Sequence, residues 1–184
     1  MRHLGTKTIE TERLVLRKFK HSDAENMYKN WASDNEVTKF LTWPAHTDIE
    51  VSKSICKLWE SEAECKNNYQ WCIELKDTKE AIGSISVVHL SEDISSVEIG
   101  YCIGKRYWNK GIVTEAFKAL IEFFFKEINV NRIEARHDTN NPASGEVMKK
   151  CGLRFEGIKR KGDKNNTGIC DCAIYSILKD DMGE

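Results

Sequence analysis

The sequence predicts an α+β fold: a mixed, mostly antiparallel seven-stranded sheet with one parallel pair, flanked by four helices. Three observations predict it. Seven short segments rich in β-branched and aromatic residues alternate between apolar and polar, the period of strands with one buried face. Most are joined by connections of about six residues or fewer, which suit antiparallel neighbours. One pair, Val97–Ile103 and Arg132–His137, is instead separated by a long apolar helical segment, and a strand–helix–strand succession makes a parallel crossover.

Taken in order, Glu12 to Lys18 is the first strand. Ser22 to Glu25 has the spacing of a capping box and opens a short helix through Trp31; Thr47 to Glu50 repeats it and opens a helix to about Glu64. In that helix Val51, Ile55, Leu58 and Trp59 fall at helical spacing. Between the two helices, Phe40 to Pro44 is apolar but irregular, suited either to lining a pocket or to packing under a loop. Strands follow at Tyr69–Leu75, Ala81–Leu90 and Val97–Ile103, split by polar turns at Lys76–Glu80 and Ser91–Ser96. Thr114 to Ile128 is a mostly buried helix, then Arg132–His137 a strand. Pro142 to Lys150 is a helix with Pro at its start and Gly152 closing it. Phe155–Arg160 and Cys170–Leu178 pair as a hairpin around Gly162–Gly168.

At 184 residues the chain is read as one domain, 1–184, and a chain of this size buries about 70% of its unfolded surface. The net charge of −1 excludes a nucleic-acid binder driven by overall charge. Met1 to Glu12 is polar and charged, so no signal peptide is expected, and no apolar run approaches a membrane span. Seven Cys without a C-x-x-C pair, and five scattered His, suggest reduced thiols in a cytoplasmic protein and no metal site.

The chemistry concentrates at Trp108-Asn109-Lys110-Gly111-Ile112-Val113-Thr114, a polar turn between a strand and a helix. Such a turn presents unpaired backbone N–H groups and the positive end of the helix dipole, which together favour an anion such as phosphate. Gly111 permits a positive φ or close ligand approach, Thr114 is a candidate cap, and Lys110 adds charge. The same stretch, taken alone, is equally an ordinary loop with one Gly. It is neither a G-x-x-x-x-G-K-[ST] loop nor a G-x-G-x-x-G fingerprint, which disfavours a nucleotide kinase or a dehydrogenase.

Tyr107-Trp-Asn-Lys-Gly-Ile-Val-Thr-Glu-Ala116 resembles the pyrophosphate loop of the GNAT superfamily of acetyl-CoA-dependent N-acetyltransferases, in the Rim-type branch that modifies ribosomal-protein N-termini. Asn141-Pro-Ala-Ser144 followed by Lys149-Lys-Cys-Gly-Leu153 resembles a second motif of that family, and the order of elements matches from Thr11 to Leu178. Trp108 is normal for the branch; Val113 replaces the usual Gly or Ala, and its side chain must turn away from the anion. The resemblance implies a GNAT fold whose parallel pair, fourth and fifth in this count, splays to admit pantetheine. It implies acetyl-CoA as donor, held by Tyr101, Cys102, Ile103, residues 108–114, Asn141, Ser144 and Lys149.

Acetyl transfer needs a neutral amine, donors for the developing oxyanion and a proton for the leaving thiolate. Glu98, on one wall of the split, is the candidate base, with His137 and Asp138 as weaker alternatives. Where many members of the superfamily have a sulfur-protonating Tyr this chain has Met148, which cannot donate a proton, and the resemblance to the Rim-type branch implies Ser144 as the candidate donor to sulfur. Backbone N–H groups near Tyr101–Ile103 are the candidate oxyanion donors. Trp31 and Trp43 are expected at the acceptor site. The acceptor is a protein N-terminal α-amine, or alternatively a small amine, for which acidic Asp34, Glu36, Asp48 and Glu50 would serve a polyamine. A non-catalytic acyl-CoA-binding module is the third reading. No nucleic acid or membrane partner is expected, and the resemblance implies a homo-oligomer.

Overall fold

The computed structural model describes residues 1–183. Eight strands form one sheet: β1 (Ile9–Glu10), β2 (Leu14–Arg17), β3 (Gln70–Leu75), β4 (Ala81–Ser91), β5 (Ser96–Ile103), β6 (Arg132–Asp138), β7 (Arg154–Asn165) and β8 (Gly168–Leu178). Their order is β1-β2-β3-β4-β5-β6-β8-β7, and β5–β6 is parallel while every other pair is antiparallel. The α+β prediction with one parallel crossover therefore holds. The count differs by one because β1, two residues long, pairs with the edge of β2; the parallel strands are the fifth and sixth.

Five α-helices replace the four expected: α1 (Ala24–Met27), α2 (Asn35–Thr38), α3 (Ile49–Glu62), α4 (Ile112–Phe123) and α5 (Pro142–Lys150). The first predicted helix is broken into a 3₁₀ turn, α1 and a π turn at Tyr28–Ala32, and α2 is an extra single turn. Neither predicted cap is the one used. Asp23, not Ser22, accepts the backbone N–H of Lys20 (2.8 Å). Asp48, not Thr47, accepts from Glu50 (2.7 Å). Asp48 is an equally favoured N-cap acceptor, whereas Asp23 is the third residue of its turn and reaches back to the N-cap Lys20 as the acidic member of a capping box. The predicted stripe of α3 is also half wrong: Ile55 and Trp59 pack inward beside Ser52 and Cys56, whereas Val51 and Leu58 are exposed.

Two cores lie on opposite sheet faces. The larger joins the sheet to α4 and α5 and holds Val97, Ile99, Phe117, Leu120, Phe124 and Ile133. The smaller, under α1 and α3, holds Phe19, Met27, Trp31, Cys56 and Cys72. α4 starts two residues earlier than predicted and ends in a π turn, Phe124–Ile128, where three consecutive Phe are buried. An ideal helix cannot turn three successive side chains to one face, and a widened turn relieves this.

The β7–β8 hairpin is longer than predicted. Most of the expected loop at 162–168 is strand, closed at Asn166–Thr167 by Asn165 Oδ1, which accepts from Thr167 N and Oγ1. Among the described residues no helix is long and apolar enough to cross a membrane.

Candidate active site

The parallel pairing of β5 and β6 covers only Ser96↔Arg132, Val97↔Ile133 and Glu98↔Glu134. Beyond Glu98 the strands diverge, while β5 continues to pair with β4 as far as Ile103. Which backbone groups face the gap follows from alternation. Ser95 O accepts from Asn131 and Arg132 on the β6 side, and Gly104 N–H donates to Ile82 O on the β4 side. Odd-numbered residues of β5 thus turn their backbone groups toward β6. Tyr101 and Ile103 present theirs to the gap as expected. Cys102 does not: it faces Ser84 of β4, and its thiol lies 3.3 Å from the Ser84 hydroxyl. The Ile103 carbonyl is already taken by the Trp108 indole N–H (3.0 Å).

At the open end of the gap, Asn109 (φ +58°) and Gly111 (φ +71°) are both left-handed, a nest that turns successive N–H groups to one side. Gly111 is the N-cap of α4. The first intrahelical bond is Glu115 N–H to Gly111 O (3.0 Å), so the N–H groups of Ile112, Val113 and Thr114 are the unpaired ones of the first turn. Thr114 is consequently inside the helix and does not cap it. Val113 is 9% exposed with its side chain in the larger core, so it offers its N–H without crowding an anion. These features fit a pyrophosphate.

α5 faces the same gap. The Tyr101 hydroxyl donates to Ser144 O (2.9 Å), and Ser144 Oγ donates to the Tyr101 oxygen (3.0 Å). Burial pushes the Tyr101 phenol well above its ordinary value, so it remains a proton donor. The Asn141 side chain makes no capping bond, and Lys149 pairs with Glu146 (2.8 Å).

The opposite face of the split is ionic. Glu98 is 9% exposed at the last paired position. Arg136 Nε lies 2.8 Å from its carboxylate and 3.3 Å from Asp163 of the hairpin. Burial raises the Glu98 carboxyl above its ordinary value, and Arg136 opposes this. Asp138 is a different case. Burial alone would raise it, but bonds from the Asn140 N–H and the Asn165 amide hold it below its ordinary value, so it is a structural hub and a poor base. His137 turns away from this face: Nδ1 meets the Asp138 carbonyl (2.8 Å), and a Cβ on Gly145 would lie 2.6 Å from Nε2.

The acceptor expectations fare unevenly. Trp31 is 1% exposed inside the smaller core and has no free face. Trp43 is partly buried beside His46, and its carbonyl accepts from Asn166 (2.8 Å) at the hairpin tip. The four acidic residues suggested for a polyamine are committed elsewhere: Asp34 and Asp48 cap helices, Glu36 pairs with Lys105 and Glu50 with Lys53. Sequence reasoning missed Arg136, Asp163, the Tyr101 hydroxyl and Asn166. Only Arg136 left a trace there, as a cation two residues beyond the position opposite Glu98.

A splayed parallel pair beside an anion-binding helix start defines an acyl-CoA-dependent transferase. The model of the acetyltransferase (GNAT) domain matches residues 13–154, and the chain belongs to that family. It is 31% identical over 172 residues to the uncharacterized N-acetyltransferase p20 of Bacillus licheniformis, covering 94% of this chain and 96% of that one. A ribosomal-protein-serine acetyltransferase of Escherichia coli (strain K12) is 27% identical over 101 residues, 55% of this chain and 56% of that one. The crystal structure of a GNAT-family acetyltransferase from Bacillus anthracis superposes with a TM-score of 0.84 at 29% identity, covering 95% and 99% of the two chains. The protein is an acetyl-CoA-dependent N-acetyltransferase.

Proposed function

We propose that the chain acetylates a primary amine, with a protein N-terminal α-amine as the preferred acceptor, by direct attack in a ternary complex. The observation that carries this is Glu98: a buried carboxylate, raised in pKa, at the point where the strands part and on the face opposite the cradle. An α-amine titrates near 8 and a lysine amine near 10.4. A carboxylate base suits the first better, because the α-amine gives up its proton more readily. The E. coli relative's name points to the same class of acceptor, and the dispersal of the four acidic side chains removes the support for a polyamine.

In this reading Glu98 takes the amine proton, directly or through one water. The N–H groups of Tyr101 and Ile103 face the gap and supply donors to the developing oxyanion. Ser144 and Tyr101, bonded to each other, are the two hydroxyls beside the gap, and one of them turns its proton from its present acceptor to the departing thiolate. Tyr101 thus joins Ser144, to which the role was assigned from sequence alone.

Two experiments test this reading. The first is a thermal-shift titration with acetyl-CoA, which raises the melting temperature with concentration if the native state binds it. The second is an acceptor screen with N-terminal peptides, then small amines. Acetylation confined to lysine side chains or to small amines would reject the α-amine assignment.

A further inference from the structure

We propose that Arg13 is a positioning residue for the acetyl donor, holding the phosphate-binding loop in its binding conformation from outside the site. This rests on the reading of residues 108–114 as a pyrophosphate cradle. Arg13 sits in the turn between β1 and β2, about a hundred residues from the loop in sequence. Its Nη1 donates to the carbonyl of Lys110 (2.9 Å), and its Nη2 lies on the Cβ side of Gly111, 3.7 Å from where a Cβ would stand.

A trans peptide places its C=O and N–H on opposite sides of the chain. Pinning the Lys110 carbonyl toward Arg13 therefore turns the Gly111 N–H away from Arg13. That N–H lies between left-handed Asn109 and Gly111, in the loop conformation that a nest requires.

Arg13 is itself fixed. Its Nε donates to Glu115 Oε2 (2.7 Å) and its backbone N–H to Glu115 Oε1 (2.8 Å), which also accepts from the Thr11 hydroxyl (2.6 Å). Glu115 lies one turn into α4. One carboxylate thus locks the Thr11–Arg13 turn to the helix, and Arg13 carries the lock on to the loop. Since Glu115 neutralises Arg13, the pair supplies geometry more than charge.

The test compares two donors, acetyl-CoA and S-acetyl-pantetheine, which lacks the phosphates, in the parent, Arg13→Ala and Arg13→Lys. Arg13→Ala should raise KM for acetyl-CoA about tenfold, with kcat, acceptor KM and KM for S-acetyl-pantetheine within about twofold of the parent. Arg13→Lys keeps a partner for Glu115 but loses the planar fork, and should fall between. An unchanged acetyl-CoA KM, or equal losses on both donors, would overturn the proposal even in a variant that melts normally. A parent that uses both donors with the same KM would instead overturn the cradle reading beneath it.

Discussion

The two faces of the split are built from different materials. The donor face is made of backbone: a nest, the first turn of α4 and two residues of β5 whose groups have no strand to pair with. The opposite face, proposed for the acceptor, is made of side-chain charge, with Glu98, Arg136 and Asp163 arriving from three different strands. Backbone donors are indifferent to side-chain identity, so the donor face tolerates Val113 once its side chain finds the core. The charge cluster is less tolerant, because removing Arg136 leaves the buried Glu98 without its partner.

The largest effect expected is therefore on the acceptor face. Glu98→Gln should lower kcat about a hundredfold with acetyl-CoA affinity unchanged, as loss of a general base does; a loss of donor affinity of the same size would place Glu98 on the wrong face. Next comes Ser144→Ala, which breaks the bond to Tyr101 and should cost about tenfold in kcat, near 1.4 kcal/mol. If Tyr101→Phe instead costs more than Ser144→Ala, the phenol is the principal donor to sulfur.

A smaller effect separates the site from the scaffold at its base. Hydrogen bonds from Arg132 hold Glu156 down to about 2, from an ordinary 4.5. A depressed carboxyl stabilises the fold above its ordinary pKa, and the contribution is lost as pH falls toward about 2. Glu156→Gln should lower stability at neutral pH and flatten its pH dependence in that window, read by urea melts at several pH values. A parallel offset at all pH values would mean the ion pair does not set acid stability.

The smallest effect concerns the hairpin tip, where the Asn166 amide donates to Thr38 O and Trp43 O, both at 2.8 Å. Asn166→Ala removes two bonds worth about 1 kcal/mol each at most and should lower the melting temperature by about 2–8 °C. The acetyl-CoA KM should not move, since neither bond touches residues 108–114.

The same contrast explains what could be read from sequence. The loop at Trp108 to Thr114 was legible as a turn between a strand and a helix because its parts are contiguous, and its reading as a cradle came from the family resemblance, since the stretch alone is equally an ordinary loop. Alternation on β5 gave the face of Glu98, opposite Val97 and Ile99, while its role as a base came from the resemblance. Arg136 and Asp163 were not legible, since their meeting depends on the β5–β6 register and on the irregular pairing between Lys159 and Asp163 of β7. The Asn166 bridge spans more than 120 positions. Trp31 was placed at the acceptor site by its neighbourhood, but a large apolar ring on a helix packs into a core first. The second cap slipped because Thr47 stands beside an Asp that takes the same Glu50 N–H, and the first because the helical turn starts earlier, at His21, with Asp23 reaching back to Lys20.

The measurement that tests the central claim most directly is the pH dependence of kcat in the parent, Glu98→Gln and Arg136→Met, with one N-terminal peptide as acceptor. Arg136 opposes the burial that raises Glu98. Its removal should therefore shift the acid limb, where activity fails as Glu98 takes up its proton, to higher pH. In Glu98→Gln that limb should be absent, and the rate should follow the titration of the amine alone. Three superimposable profiles would show that Glu98 carries no proton in the reaction, and would contradict its assignment as the base.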